Sequence, residues 1–180
     1  CRAVAKYLQH WLASDPSGKR RLLGECMELE RKALSVFWDV GNSLEYGRTY
    51  NELPLVFLHR AYREWDGSVR KGIIEEGMAW GEKAVKGLSE LGDSYGTARA
   101  HYVLVTCLYP FIYLIPEPEK QMLNRLKIRE YLQSALDSFE RVGDVYLMGL
   151  SHIEWGRGTE GEEAMRHLDR ALECGEKTHD

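Results

Sequence analysis

Three stretches of the chain align with one another without a gap at a spacing of 51 residues, and this internal repeat limits the fold more than any other feature. They are RKALSVFWDVGNSLEYGRTYNEL from position 31, EKAVKGLSELGDSYGTARAHYVL from position 82 and QSALDSFERVGDVYLMGLSHIEW from position 133. The coinciding positions include Ala33, Ala84 and Ala135, and Gly41, Gly92 and Gly143. Repetition at a fixed long period is typical of proteins in which one small structural unit stacks on the next.

Each copy has the pattern of a helix, a sharp turn and a second helix. Apolar residues such as Ala33, Leu34, Phe37 and Val40 recur at three- and four-residue spacing, which predicts one buried helical stripe. The glycine of each turn can adopt the left-handed conformation that ends a helix, and the following Asn or Asp can cap the next one. Small residues early in the second helix predict close approach of a neighbouring helix; they are Gly47, Ala98 and Gly149, and Thr49, Ala100 and Ser151.

A fourth, shortened copy follows in AMRHLDRALECGEKTHD, where Ala171 and Leu172 take the place of Ala84 and Val85. The whole chain is therefore predicted to be all-α, as four antiparallel hairpins at about 1–42, 43–93, 94–143 and 144–180. The predicted helices are 2–13, 19–40, 43–66, 69–91, 94–115, 118–142, 144–156 and 161–178. Pro54 and Pro110 fall inside two of these helices, where proline is expected to kink or end them.

The array resembles tetratricopeptide repeats, in which antiparallel helix pairs stack into a right-handed superhelical solenoid. The resemblance rests on a small residue followed seven positions later by Ala and an aliphatic residue, as at Gly77 with Ala84 and at Ala164 with Ala171. Ile128 departs from it, because the side chain is bulky for that position, and the spacing of 51 exceeds the family's usual 34. Repeats of this kind occur in multidomain signalling proteins, so we expect the chain to be one domain, 1–180, of a longer protein.

Composition and charge exclude several classes of function. A net charge of −4 among 180 residues gives no footprint for nucleic acid. The longest apolar run, Tyr102–Ile115, is shorter than the roughly twenty residues that a transmembrane helix needs, so no membrane role is expected. The four cysteines form no CxxC pair, which predicts buried thiols in a reducing, cytoplasmic setting and no metal site.

Motifs that would carry catalysis are weak in this chain. GRGTEG at 156–161 matches the dinucleotide-binding pattern, but no strand precedes it, so it is interpreted as a loop between helices. His101 and His152 share a repeat register and suggest either a polar seam between helices or a metal or pH-sensitive pair. No nucleophile with an activating base is recognisable, and we predict a non-enzymatic protein without a cofactor.

The resemblance implies that the first helix of each hairpin lines a concave groove that binds a protein or peptide. Carried over by register, the groove residues are Arg2, Arg48, Asn51, Leu55, Arg99, Tyr102, Thr106 and Tyr109. Arg2, Arg48 and Arg99 form a spaced row that suits an acidic peptide, because arginine pairs with carboxylates through two parallel hydrogen bonds.

Two other functions remain open at the level of sequence. The domain can be a ligand-sensing, regulatory part of a switch ATPase or transcription activator, in which case a pocket near Tyr109, Phe111 and Tyr113 is expected. It can also be a structural spacer or self-association unit, in which exposed end hairpins form a homodimer. A scaffold for protein binding in signalling is the reading that the repeats favour.

Overall fold

The computed structural model describes residues 2–178, except for the side chains at positions 2, 4, 38, 43, 46, 48, 50 and 51. Within these residues the chain forms eight α-helices and no strand, which confirms the predicted all-α class. The helices are α1 (Arg2–Leu12), α2 (Pro16–Asp39), α3 (Ser43–Ala61), α4 (Gly67–Glu90), α5 (Ser94–Ile112), α6 (Pro118–Val142), α7 (Val145–Arg157) and α8 (Gly161–Lys177).

The chain divides into two compact units between Gly92 and Asp93. We call α1–α4 the N-terminal unit and α5–α8 the C-terminal unit. Each unit contains two of the predicted hairpins. That all four hairpins form one repeat domain over 1–180 stays a prediction.

In the N-terminal unit each helix packs on the next one along the chain. The core is formed by apolar faces of α1, α2 and α3, with side chains of α4 packed against it. Its buried members are Ala3, Leu23, Cys26, Met27, Leu34, Leu53, Val56 and Phe57. Burial of such side chains stabilises the unit by about 25 cal/mol for each Å² of apolar surface removed from water.

In the C-terminal unit, α6 packs against both α5 and α7, and α8 packs against α7. Phe139 on α6 is fully buried and lies beside Ala98 of α5. Tyr95 and Tyr102 of α5 and Met148 of α7 pack around the same cluster. The small side chain of Ala98 beside the large ring of Phe139 lets α5 and α6 approach closely.

The three Gly-Asn or Gly-Asp turns have the same local geometry. Gly41, Gly92 and Gly143 have φ values of 68°, 73° and 73°, which is the left-handed region that glycine enters without steric cost. The next residue then caps the following helix, with the side-chain oxygen accepting from a backbone N–H three residues on: Asn42 from Glu45 N at 3.2 Å, Asp93 from Gly96 N at 2.8 Å and Asp144 from Leu147 N at 2.9 Å. The predicted helix stops and caps are confirmed.

The small residues after each turn lie where other helices approach. A Cβ atom placed on Gly47 would lie 2.6 Å from Cδ2 of Leu88, and one on Gly149 would lie 3.0 Å from Cβ of Cys174. Ala98 is also buried. The expected close packing is therefore confirmed.

The helix boundaries differ from the prediction by three residues or more at three places, one of which is the end of α5 at Ile112 rather than 115. α2 begins at Pro16 rather than 19, because the Asp15 carboxylate accepts from Ser17 Oγ and Gly18 N at 2.5 Å and so caps the helix inside the SDPSG loop. α3 ends at Ala61 rather than 66, because Asp66 caps α4 by accepting from the backbone N–H groups of Ser68 and Val69.

Of the two outcomes expected at Pro54 and Pro110, a kink or an end of the helix, the end is wrong. α3 and α5 both continue through these residues, to Ala61 and Ile112. Packing of the buried side chains that follow each proline holds the helical path. This packing outweighs the missing backbone hydrogen bond.

Candidate binding sites

The side chains of Arg2, Arg48 and Asn51, three of the predicted groove residues, lie outside the described part of the structure. The predicted arginine row is therefore described only at Arg99, whose side chain is exposed on α5. The acidic-peptide site along this row stays a prediction.

Three further predicted groove residues lie on α5 and make contacts inside the C-terminal unit. The hydroxyl of Tyr109 donates a hydrogen bond to the backbone oxygen of Glu154 at 2.5 Å, and only 8% of Tyr109 is exposed. Tyr102 packs against the cluster around Phe139. Thr106 Oγ1 donates to the backbone oxygen of Val103 at 2.7 Å. The two tyrosines tie α5 to other helices of its own unit, whereas the Thr106 bond lies within α5.

The environment of the two tyrosines is apolar and close to acid. Burial raises the pKa of Tyr102 and of Tyr109 to about 12, and the nearby Glu154 carboxylate adds to both shifts. The guanidinium of Arg157 lies 5.8 Å from the centre of the Tyr109 ring and also pairs with the Glu154 carboxylate at 3.0 Å. Both phenols are therefore neutral at any ordinary pH, and the hydroxyl of Tyr109 is a structural donor.

Leu55, the remaining predicted groove residue, borders a cavity of about 40 Å³ in the N-terminal unit. Residues of α1, α2 and α3 line it together: Tyr7, Cys26, Glu30, Glu52, Leu55 and Val56. We call this space the acidic cavity, because two of its six lining residues are glutamates and none carries a positive charge.

Glu30 is the most unusual member of the acidic cavity. It is only 7% exposed, and within the described part of the chain no group donates a hydrogen bond to its carboxylate or forms an ion pair with it. Burial, together with the nearby charge of Glu52, raises the pKa of Glu30 to about 7. A buried carboxylate without a partner is costly, so this position calls for a physical explanation.

The pKa values of two other titratable groups in the acidic cavity, Cys26 and Tyr7, are also raised. Burial raises the pKa of the Cys26 thiol to about 12, with contributions from Glu30 and Glu52. Burial likewise raises the pKa of Tyr7, and Glu52 adds to that shift. All of these groups become negative on ionisation, so each disfavours ionisation of the others.

A signal for the acidic cavity was present in the sequence. Leu23, Met27, Glu30 and Leu34 follow one another at three- and four-residue spacing along α2, and three of these four are core residues. An acid in the middle of an apolar helical stripe indicates a buried charge. The prediction from sequence missed the buried Glu30 because it considered only the apolar residues of this helical face.

An aromatic cluster lies near the C-terminal ends of α1 and α3. The ring of His59 makes edge contacts with Trp11 at 4.9 Å and with Tyr62 at 6.4 Å, measured between ring centres. Trp11 is 53% exposed and Tyr62 is 54% exposed. Leu8 and Leu12 are also exposed on α1, at positions that flank Trp11. We call Leu8, Trp11, Leu12, His59 and Tyr62 the aromatic patch.

The fully buried ring of His10 packs against the aromatic patch. His10 is fully buried and its ring lies 5.4 Å from that of His59. Nδ1 of His10 bonds to the backbone oxygen of Tyr7, which assigns the proton to Nδ1. Burial, together with the neighbouring His10 and Arg63, lowers the pKa of His59 to about 4. The patch is therefore uncharged at neutral pH.

The two histidines singled out in the sequence have different partners. His101 stacks on Tyr131 at 4.7 Å and its Nδ1 lies 3.1 Å from Ser134 Oγ. His152 pairs with His167 of α8 instead, with 2.9 Å between the two Nδ1 atoms. Burial lowers the pKa of His152. Both histidines therefore occupy polar seams between helices, which was the simpler of the two interpretations.

Searches for a metal centre and for a membrane span are negative over residues 2–178. No group of three or more His, Cys, Asp or Glu side chains among the described ones is arranged to hold a metal ion. Every helix in that range is too short or too polar to cross a bilayer. Comparison with protein-family models, with curated proteins and with solved structures finds no match to this chain.

Proposed function

We propose that this chain is a non-enzymatic, tetratricopeptide-like repeat module that binds a protein partner. The observation that carries the proposal is the aromatic patch, where Trp11 and Tyr62 are both more than half exposed around one histidine ring. Exposed tryptophan and tyrosine are the residues that contribute most to binding at protein interfaces. A contiguous apolar surface on a folded protein marks an interaction site.

The repeat supports the same proposal. The turns at Gly41, Gly92 and Gly143 share one geometry, and each is followed by a capped helix with small residues on its packing face. Identical junctions of this kind favour a solenoid of four hairpins, which presents an extended surface to a partner. The arginine row of Arg2, Arg48 and Arg99, expected from the repeat register, would be a separate surface for acidic segments.

The experiment compares capture of partners by the native chain and by Trp11→Glu. Quantitative mass spectrometry of crosslinked complexes from the source cells is expected to show one set of proteins lost with Trp11→Glu. A matched control is Leu123→Glu, which places the same charge at an exposed apolar position (59% exposed) of the C-terminal unit. Affinity is then measured with each purified partner. Equal binding by the native chain and Trp11→Glu would remove the patch as the site.

A charge-reversal pair tests the arginine row separately. Arg48→Glu combined with Arg99→Glu is expected to weaken binding of an acidic partner while the helix content stays unchanged. If the pair leaves affinity unchanged, the arginines do not contribute to the site.

Self-association is a second candidate function, favoured by the surface of α8. Met165, Leu168 and Leu172 recur at three- and four-residue spacing and are 59%, 41% and 64% exposed. An unpaired apolar helical stripe of this kind packs readily on a second copy. Light scattering of the native chain and of Leu172→Glu tests self-association. A native dimer that becomes a monomer in Leu172→Glu supports this function, and a monomeric native chain excludes it.

A further inference from the structure

We propose that the acidic cavity binds a primary ammonium group, carried either by a free alkylamine or by the lysine side chain of another protein. This inference is independent of the aromatic patch and of the proposed function. It rests on the charges that line the cavity, on the missing partner of Glu30, and on the size and walls of the space.

The first argument is the state of Glu30. Its carboxyl group lines the cavity, is 7% exposed, and has no hydrogen-bond or ion-pair partner within the described residues. Buried ionisable groups in proteins are paired or bound to a cation, because leaving them alone costs several kcal/mol. A cation placed in the cavity would supply the missing partner.

The second argument is the sign of the field. Glu52 lines the same cavity, and its charge acts on Glu30, Tyr7 and Cys26. No lysine, arginine or histidine lines the space. The field of the lining residues therefore repels anions and attracts a cation.

The third argument is shape. Leu55 and Val56 form an apolar part of the wall, and the ring of Tyr7 forms another part. Apolar side chains accommodate the methylenes next to an ammonium group, and an aromatic ring attracts the positive charge over its face. A free metal ion would gain nothing from such walls, whereas an alkylammonium ion would.

The fourth argument is size. The cavity measures about 40 Å³, and a single water molecule needs roughly 10–15 Å³ on this measure. An ammonium head with the first carbon of its chain fits this space. A planar guanidinium with its three nitrogens is larger and needs a wider slot, so the cavity selects lysine-type over arginine-type cations.

The test is a titration of the full chain with butylammonium chloride at pH 8, followed by NMR at fixed ionic strength. The pKa of Glu30 is about 7, so its carboxylate is mostly ionised at this pH. We expect millimolar binding, which corresponds to about 4 kcal/mol. Butanol, which has the same chain without a charge, and butylguanidinium are each expected to bind about tenfold or more weakly.

Two variants separate the site from general charge. Glu30→Gln keeps the shape, removes the charge, and is expected to weaken butylammonium binding about tenfold or more. Glu28→Gln removes an exposed acid of the same helix, which pairs with Arg31 outside the cavity, and is expected to change nothing. Because Glu30→Gln removes a buried charge, it is not expected to unfold the chain, and circular dichroism checks this.

A direct readout comes from the carboxyl carbon of Glu30, observed by NMR as a function of pH. A bound cation favours the charged form, so butylammonium is expected to lower the pKa of Glu30 from about 7. An acetylated, amidated Gly-Lys-Gly peptide distinguishes the source of the ammonium group. Binding at least as tight as that of butylammonium indicates a lysine of a partner, and exclusion of the peptide indicates a free amine.

Three results would overturn the proposal: equal binding of butanol, full affinity in Glu30→Gln, or a pKa of Glu30 that does not move on titration. Any of them would show that the carboxyl group of Glu30 is not a site for a cation.

Discussion

The hydroxyl of Tyr95 on α5 donates a hydrogen bond to Oδ2 of Asp144 at 2.7 Å, and Oδ1 of the same carboxylate accepts from the backbone N–H of Leu147 at 2.9 Å. One side chain therefore caps α7 and also joins α7 to the first turn of α5. The hydrogen bond to the carboxylate raises the pKa of Tyr95, and partial burial adds to the shift.

This link predicts a measurable loss of stability in Tyr95→Phe. A hydrogen bond to a charged group contributes about 1.5–3 kcal/mol at most, so we expect the free energy of unfolding in urea to fall by about 1–2 kcal/mol. Asp144→Ala is expected to cost about 1 kcal/mol more, because it also removes the helix cap. Tyr146→Phe, at an exposed position of α7, is the control and is expected to leave stability unchanged. If the free energy of unfolding of Tyr95→Phe equals that of the native chain, the hydrogen bond makes no net contribution to stability.

Two glycines of α4 are expected to respond to alanine in opposite directions. A Cβ at Gly77 would lie 2.7 Å from Cβ of Phe57, an atom fixed to the backbone of α3, so Gly77→Ala forces the two helices apart. We expect Gly77→Ala to lower the free energy of unfolding by about 1–3 kcal/mol.

Gly72→Ala is the matched control in the same helix, where a Cβ meets nothing within 4 Å. It is expected to raise the free energy of unfolding by about 0.5–1 kcal/mol, because alanine has the higher helix propensity. If both substitutions changed the free energy of unfolding in the same direction, the close packing between α3 and α4 would be contradicted.

Glu30 is expected to make stability fall as pH rises. The folded pKa of about 7 lies above the ordinary value of 4.5, so the folded state holds a proton that the unfolded state has already released. The free energy of unfolding therefore decreases between pH 4.5 and 7, by about 3 kcal/mol in total at higher pH.

The measurement is urea unfolding at pH 5 and pH 8.5. Glu30→Gln is expected to lose this part of the pH dependence and to be the more stable protein at pH 8.5. Glu28→Gln, on the same helix but exposed, is expected to keep the native pH dependence. If Glu30→Gln follows the native curve, the carboxyl group is not buried as described.

His59 is expected to act in the opposite direction, at acid pH. Burial holds its folded pKa at about 4, below the ordinary value of 6.5, so the unfolded state takes up a proton first. Stability is therefore lost as pH falls from 6.5 towards 4, by up to about 3 kcal/mol. His59→Phe keeps a ring against Trp11 and is expected to remove this loss.

Tyr62→Phe is the control for His59, because it alters the same aromatic patch without removing an imidazole. It is expected to keep the acid sensitivity of the native chain in thermal unfolding at pH 4.5 and pH 7. A His59→Phe variant that is equally acid-sensitive would place the responsible group elsewhere.

Local features of the fold were predictable from the sequence. The three glycine turns and their caps depend on residues that are neighbours in the chain, so Gly143 and Asp144 could be assigned from their own chemistry. Two helix boundaries were harder to predict, because each depends on a capping aspartate. Asp15 and Asp66 cap α2 and α4, which both begin inside segments that were predicted to be loops.

The candidate sites depend on contacts between helices, and these could not be predicted in the same way. Periodicity places Glu30 on the buried face of α2, but only packing brings Tyr7 of α1 and Glu52 of α3 to the same cavity. Likewise, the repeat register gave no indication that the hydroxyl of Tyr109, a predicted groove residue, donates to the backbone oxygen of Glu154. The direction in which each side chain leaves its helix decides which residues meet, and a small rotation of the helix about its axis changes these contacts.

A buried cysteine in each unit makes the opening of that unit measurable by chemical modification. Cys26 of the N-terminal unit and Cys107 of the C-terminal unit are each 1% exposed, and burial raises the pKa of both thiols to about 12. Only an ionised, accessible thiol reacts quickly with an alkylating reagent. The rate at which each of these positions is modified therefore reports how often its own unit opens, so one labelling time course resolves the lifetimes of the two folded units separately.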